Sequence, residues 1–541
     1  MTRFNPQYLF VLILGLLLIQ VGIWNAPLPF GDEAGYISDA MLLIRDGKTS
    51  LNLYHLFYVF LLKNVSSDPI NAHLICRVFT STLSTLLMFL FLSSVPLVSV
   101  SKNAILITTA FWAACKLNIP EAQFGNINLF ALNIVFPAVI LLMRKLSLNR
   151  LLFLIISLLW AAQIRMEYYI PFSLTFIYIC YYTIVQIRSK GLCQMAKSSS
   201  ASTAVMFFIA VLSVTATRMK PQKSFSEMDK HLLLGLEQCY TSLYSKLNPG
   251  KKISTMVEYK SITDDVFKKP TGFFDACRKN PLEVAKYFII NGSINSALLI
   301  PALIRHRSII VPERFGKKGE AIQILFVLSF VSAGLLIGLR EKKIPINPRC
   351  LISNYRFIIL FILCSAATIS ILLHIPDARY WISCVPLLFC VISCGVRFII
   401  DKIQSTKIQY AVSLAVVLVF MRPMFLGISS NQEIIVKMRE CPHKNQNPSI
   451  AGLFPTAIGT FAFGLDSKIV SVNEFKIENV ENHSYDFVTI DTYFRNSEFY
   501  FKYKHFFLDF ETNPEKYGYK LLGRSRDKHE TTVYALKAQN D

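Results

Sequence analysis

The chain has 541 residues, of which 53% are hydrophobic and 17% charged, with a net charge of +21 and a mean hydropathy of +0.43. Soluble domains carry about 25% charged residues, so the composition excludes an ordinary soluble enzyme and implies a chain that crosses a membrane many times. The basic surplus does not call for nucleic acid, because much of it falls in short loops on one side of the predicted spans, as the positive-inside rule requires.

In chain order, a first uncharged stretch runs from Phe4 to Gly31, long enough for a bilayer core that needs about 20 apolar residues. It reads as a retained anchor, since its apolar core is too long for a signal peptide and Pro27 follows Ala26 where cleavage is wanted. Then comes "PFGDEAGYISDAMLLIRDG" (29–47), with Asp32 beside Glu33 just where the apolar phase ends. The plain reading is an acidic first turn of a helix; the functional one is an ionisable pair held at a membrane edge.

Further uncharged stretches lie at 78–101, 126–143, 151–164, 168–187, 201–217, 321–339, 357–376, 380–396 and 408–421. A weaker one at 103–119 is interrupted by Lys116. The sum is about eleven predicted spans. With the N-terminus inside, the outer segments are 25–75, 119–126, 165–168, 218–320, 377–380 and everything beyond about 425. Residues 287–304 carry Asn291, Ser293, Asn295 and Ser296 and read as an interfacial helix rather than a span. Its start has Asn280 as N-cap and Pro281 at the first helical position.

The tail changes character. "SIAGLF", "SKIVSV" and "YDFVTI" read as short strands, "PTAIGTFAFGL" as a helix between the first two, and "YKLLGRSRDKHETTVYAL" as a hairpin. The expected architecture is therefore a polytopic α-helical membrane module over 1–427, with outer loops 25–75 and 218–320. An extracytoplasmic α/β domain over 448–541 completes it. Twelve cysteines show no paired metal spacing; Cys239, Cys277 and Cys441 fall outside, and spacing alone does not select a Cys239–Cys277 disulfide. There is no Walker loop, dinucleotide fingerprint or internal repeat.

The outer side collects the unusual polar groups. Asp32 and Glu33 are followed by Tyr36, and by His55 and Tyr58 on what reads as the same loop. "QIRMEYYIPF" puts Arg165 and Glu167 at the outer end of another span, and "HIPDARYWISCVPLLF" puts His374, Asp377, Arg379 and Tyr380 at that of a third. Each has a structural reading: an ion pair, a snorkelling arginine, aromatic-belt residues. Together they suit sugar transfer from a lipid phosphate. That leaving group is already a stable anion, so one carboxylate base suffices where a hydrolase needs two. Arginines then stabilise the charge gathering on the departing phosphate.

Residues 29–60 resemble the first outer loop of the GT-C glycosyltransferases, in particular the protein O-mannosyltransferase and aminoarabinose transferase branch. There an acidic "DE" after the first span is trailed by a tyrosine and a "HPPLY"-like segment, here Asp32-Glu33, Tyr36 and His55-Leu56-Phe57-Tyr58. "RKNPLEVAKYFIING", the Arg165-x-Glu167 pair, "ARYWISCVPLLF" and the tail "AGLFPTAIGTFAFGLDSKIVSV" look like later landmarks of the same family. The prolines of "HPPLY" are missing, and the strand that usually ends in Asp ends here in Ser471-Val472-Asn473.

The resemblance implies Asp32 as general base, with Glu33 orienting the acceptor or helping a metal. Arg165, Arg379 and Tyr380 would hold the donor phosphate, and Tyr36, His55, Tyr58 and Glu167 would bind substrate. It further implies a polyprenyl-phosphate sugar donor, an extracytoplasmic glycan, lipid or protein acceptor, and a home in a bacterial inner membrane. The resemblance fixes no cofactor and leaves a divalent cation open. The rival classes are a lipid-linked oligosaccharide flippase or transporter and a glycan polymerase or ligase. The first would place ionisable groups at mid-membrane and show two related halves; the second would not need the early Asp-Glu. Sequons at Asn64, Asn291 and Asn482 do not discriminate among these.

Overall fold

The computed structural model describes residues 13, 32–47, 53–96, 98, 101–115, 118, 126–190, 201–218, 225–248, 259–303, 316–340, 354–373, 378–420, 430–442, 447–452, 455–470, 474–525 and 530–537. The expected anchor over 4–31 lies outside them except for Ile13, which is helical. The helices begin with α1 (Asp32–Asp46), α2 (Leu53–Asn64), α3 (Pro69–Ser94), α4 (Lys102–Ala114), α5 (Asn126–Arg144) and α6 (Leu148–Ile164). After a 3-10 turn at Met166–Tyr168 follow α7 (Tyr169–Lys190), α8 (Ala201–Arg218), α9 (Phe225–Leu247), α10 (Tyr259–Phe267), α11 (Phe273–Lys279) and α12 (Pro281–Leu303). The helical part closes with α13 (Gly316–Arg340), α14 (Tyr355–Leu373), a 3-10 segment at Ala378–Cys384, α15 (Val385–Ile400) and α16 (Thr406–Phe420).

Four stretches of the described residues are long and apolar enough to cross a membrane: Pro69–Ser94, Ile127–Arg144, Met166–Ser189 and Tyr380–Ile400. Leu148–Ile164, Val331–Arg340 and Tyr355–Thr368 are shorter apolar helices. The protein is an integral membrane protein, and the expected count of eleven spans is not reproduced among these residues. Two local expectations are also corrected. The segment 51–60 is not a loop: from Leu53 it is the start of α2, because Tyr54, Tyr58, Leu61 and Leu62 recur at helical spacing and are buried together. The span expected at 78–101 starts nine residues earlier, where Asp68 caps α3 by accepting from the Ile70 N–H at 3.3 Å and Pro69 takes the first position. His73 and Arg77 thereby become buried members of a helix rather than flanking residues.

One pole of the bundle is tied together by arginines that satisfy open helix ends. Arg144 Nε donates to Ser94 Oγ (3.1 Å), Arg356 Nε to the Met143 carbonyl (2.7 Å) and Arg150 Nη1 to the Leu141 carbonyl (2.6 Å). Midway, α13 and α15 meet backbone to backbone: a Cβ on Gly334 would stand 2.0 Å from the Gly395 carbonyl oxygen. This small-residue contact replaces side-chain interdigitation where lipid offers no hydrophobic drive.

The opposite pole meets the C-terminal sheet. Its elements are α17 (Ser430–Glu440), β1 (Ser449–Ala451), α18 (Pro455–Phe463), β2 (Lys468–Val470), α19 (Ile477–Glu481) and β3 (Phe487–Ile490). They continue as α20 (Thr492–Arg495), α21 (Glu498–Lys502), α22 (Lys504–Thr512), a 3-10 turn at Pro514–Tyr517, β4 (Tyr519–Arg524) and β5 (Thr532–Leu536). Strand order is β2-β1-β3-β5-β4, with β1 parallel to β2 and β3, and β5 antiparallel to β3 and β4. The expected strands, intervening helix and hairpin are all present.

One face of the sheet, with Ile450, Phe487, Val533 and Ala535, joins the core of the helical module. The other buries an aromatic cluster of Phe475, Phe494, Phe507, Phe510, Tyr519 and Tyr534. Helix α18 packs on α1 and α3, and Arg439 of α17 locks the junction. Its Nη2 reaches Asp68 Oδ1 (2.8 Å) and the Phe461 carbonyl (2.6 Å), while its Nε reaches the Ala462 carbonyl (3.0 Å). The residue that caps α3 is thus also the one that holds the sheet to it.

Candidate active site

Helix α1 begins at Asp32, so the acidic pair occupies a first turn, where carboxylates complement the helix dipole. The side chains of Asp32 and Glu33 lie outside the described residues, but their register is set by the backbone. Position 32 shares a face with Tyr36 and Asp39; position 33 shares one with Ile37 and Ala40, which are fully buried.

Arg165 closes α6, donating its backbone N–H to the Ala161 carbonyl at 2.8 Å. Its Nη2 donates to Glu167 Oε1 within the following 3-10 turn, in a close ion pair. That is the guanidinium's single hydrogen bond among the described residues. The hydroxyls of Tyr36 and Tyr380 come near enough to the same guanidinium to act on it electrostatically. Three separate parts of the chain therefore converge: α1 through Tyr36, the α6–α7 junction through Arg165 and Glu167, and the 378–384 segment through Tyr380.

That last segment is positioned by the polar residues that had interrupted the apolar run at 287–304. Asn291 Nδ2 donates to the Ile371 and Leu372 carbonyls (3.0 Å each) and Asn295 Nδ2 to the Ile371 carbonyl (2.8 Å). Both satisfy open carbonyls at the C-terminal end of α14. Trp381 Nε1 then donates to the Asn295 carbonyl at 2.9 Å. Asn280 caps α12 as expected, accepting from the Glu283 N–H at 3.4 Å. Among the remaining site candidates, the Arg379 side chain lies outside the described residues, as do His374 and Asp377.

His55 joins the group through Tyr36, with ring centroids 5.7 Å apart, and its Nε2 stands 3.6 Å from Asp39 Oδ2. Tyr58 is one step further off: its hydroxyl meets His73 Nδ1 at 3.2 Å. Between them Tyr54 stacks edge-on against both Tyr36 (5.4 Å) and Tyr58 (5.2 Å), and Cys76 Sγ lies 3.8 Å from its hydroxyl. A file of aromatic rings thus runs from Tyr36 through Tyr54 and Tyr58 to His73 on the buried face of α3.

No family model matches the chain, and no curated protein matches it. Among the solved structures similar to the chain, two align over nearly its whole length. One is ArnT from Cupriavidus metallidurans bound to undecaprenyl phosphate, at 11% identity and a TM-score of 0.41, covering 98% of this chain and 98% of that one. The other is the same protein in the apo state, at 11% identity and a TM-score of 0.39, covering 98% and 99%.

Sequence reasoning missed Asp39, Tyr54, His73, Arg77 and Tyr168. Asp39 had a signal, standing seven residues after Asp32 on one helical face. Arg77 had one too: the Asp-Pro start at 68–69 moves the helix boundary ahead of it. Tyr168, 3% exposed and with no hydrogen-bond partner for its hydroxyl among the described residues, had none, because its environment is built from distant segments. Among the described residues no three potential metal-binding side chains cluster.

Proposed function

We propose that this protein is a GT-C-like membrane glycosyltransferase. It moves a sugar from a polyprenyl-phosphate donor to a glycan, lipid or protein acceptor on the extracytoplasmic face of a bacterial inner membrane. The observation that carries the reading is Arg165. A guanidinium has five N–H donors, and this one, paired with Glu167, makes a single side-chain hydrogen bond among the described residues. Its planar fork matches a phosphate by paired hydrogen bonds, and Glu167 fixes its orientation.

In this reading Arg165, Arg379 and Tyr380 bind the donor phosphate. Asp32, at the start of the neighbouring helix, takes the proton from the acceptor hydroxyl. The acceptor oxygen bonds to the anomeric carbon as the bond from that carbon to the phosphate oxygen breaks, and the lipid phosphate leaves with the bonding pair. Arg165 gains strength as charge collects on the phosphate, which is the condition for lowering a barrier rather than merely binding. Tyr36, His55 and Tyr58 line the approach, and Glu33 orients the acceptor. The helices over 1–427 form the catalytic module, and the 448–541 domain sits over it.

The test is consumption of a polyprenyl-phosphate sugar by the full-length protein in proteoliposomes supplied with host envelope extract. Wild type is expected to release polyprenyl phosphate. Asp32→Asn is expected to lose about 10²–10⁴-fold in rate, the range of a general base, while keeping donor binding. An Asn variant as fast as wild type removes Asp32 from the chemistry.

A further inference from the structure

Of the described cysteines, two face each other across the segment that carries Arg379 and Tyr380. Cys364 lies midway along α14 and Cys384 ends the 3-10 segment at Ala378–Cys384. Cys384 Sγ lies 3.9 Å from the Cys364 carbonyl, and position 364 shares a face of α14 with Ala367 and Ile371. Both are partly accessible, whereas Cys76, Cys115, Cys390 and Cys394 are buried. Cys384 also packs with Tyr380 and Trp381 against Ala367 and Ile371 of α14. The segment is thereby held to α12 through Trp381 and to α14 through the contact of the Cys384 sulfur with the Cys364 carbonyl.

We propose that Cys364 and Cys384 are a modification site: a reversible disulfide that fixes the Arg379–Tyr380 segment against α14. The oxidant is a peroxide. One thiolate attacks the peroxide oxygen, giving a sulfenic acid and releasing water. The partner thiolate then displaces hydroxide from that sulfur, so one S–S bond forms. Two thiols lose two protons and two electrons, and one hydrogen peroxide becomes two waters. A dithiol reductant reverses the step by exchange. A sulfur standing 3.9 Å from the partner cysteine's own carbonyl brings the two residues within reach of a disulfide, which is what separates this pair from cysteines whose backbones stand too far apart.

The test uses the full-length protein in proteoliposomes, treated with hydrogen peroxide, alkylated and digested without reduction. The expected result is a peptide pair joined through Cys364 and Cys384, two hydrogens lighter than the dithiol and restored by dithiothreitol. Amide exchange over 378–384 is expected to slow by roughly ten-fold or more, because local opening of the segment is suppressed. Cys364→Ser and Cys384→Ser should each abolish both effects. Recovery of both cysteines fully alkylated after peroxide, a link to some other cysteine instead, or a correct link that leaves exchange unchanged overturns the proposal. Neither readout needs sugar transfer, so this outcome and that of the glycosyl-transfer reading are independent.

Discussion

Two arginine–carboxylate pairs in this molecule look alike by composition and burial. Arg165–Glu167 lies at the α6–α7 junction with side chains 17% and 7% exposed; Arg495–Glu511 lies under the sheet with 20% and 19%. They differ in how much hydrogen-bonding capacity the protein consumes. Arg495 gives Nε (3.0 Å) and Nη2 (2.7 Å) to Glu511 Oε2, Nη2 again to Thr532 Oγ1 (2.8 Å) and Nη1 to the Glu530 carbonyl (3.1 Å). Tyr500 donates to the other Glu511 oxygen at 2.7 Å. That pair is closed on itself and cements α20 to α22 and β5. Arg165 is equally enclosed yet makes one side-chain hydrogen bond among the described residues, which leave its remaining donors uncommitted. Burial alone therefore does not mark a ligand-directed arginine; unspent donors do.

Substitution should separate the two pairs. Arg165→Lys should cost most, roughly ten-fold to over a hundred-fold in transfer, since an ammonium cannot reproduce paired hydrogen bonds worth about 1.5–3 kcal/mol each. Initial rates at matched membrane abundance measure it, and a lysine variant at wild-type rate would put Arg165 in the same class as Arg495. Arg379→Lys should follow, losing about ten-fold if its guanidinium shares the phosphate; a silent change returns it to snorkelling, which lysine performs equally well. Arg495→Lys should do the reverse of Arg165→Lys. The sheet region loses about 1–3 kcal/mol, read as a lower denaturant midpoint, while the folded fraction transfers sugar normally.

The smallest effect belongs to a third carboxylate, on α11. A hydrogen bond from Lys279, with a second from the Thr271 N–H, holds the Asp275 carboxyl down at about 2. A carboxyl lowered on folding contributes stability above the ordinary carboxylate range, and that contribution fades as pH falls from about 4 through 2. Amide protection over 271–279 should weaken in that window, and in Asp275→Asn it should show no such dependence.

Elements whose signals are local were legible. The apolar runs at 126–143 and 168–187 became helices within a few residues of their expected ends, and the hairpin of β4 and β5 followed from alternation around a turn. The aromatic run at 53–60 was misread because its helical spacing is diluted by apolar residues on the outer face, such as Leu56 and Phe60. Counting uncharged windows also hid Arg77, since a charge ends such a window even when the helix continues through it. Strand order β2-β1-β3-β5-β4 and the meeting of Tyr36 with Arg165 rest on contacts between segments far apart in the chain. Neither periodicity nor capping carries information about those.

The packing of α18 on α1 bears on the timing of biosynthesis. Helix α1 is translated near the beginning of the chain, and the helix that covers it begins 423 residues after Asp32. At synthesis rates of about 5–20 residues per second, that support arrives roughly 20–85 s later. Until then α1, with its buried Ala34, Ile37 and Ala40, lacks one of the helices that pack on it. A ribosome-bound chain halted before position 455 should therefore expose α1 to a hydrophobic probe. The proposed base can be held in place only once translation has passed position 463, so a copy cut short before it and left in the membrane would carry the signature residues without the proposed activity.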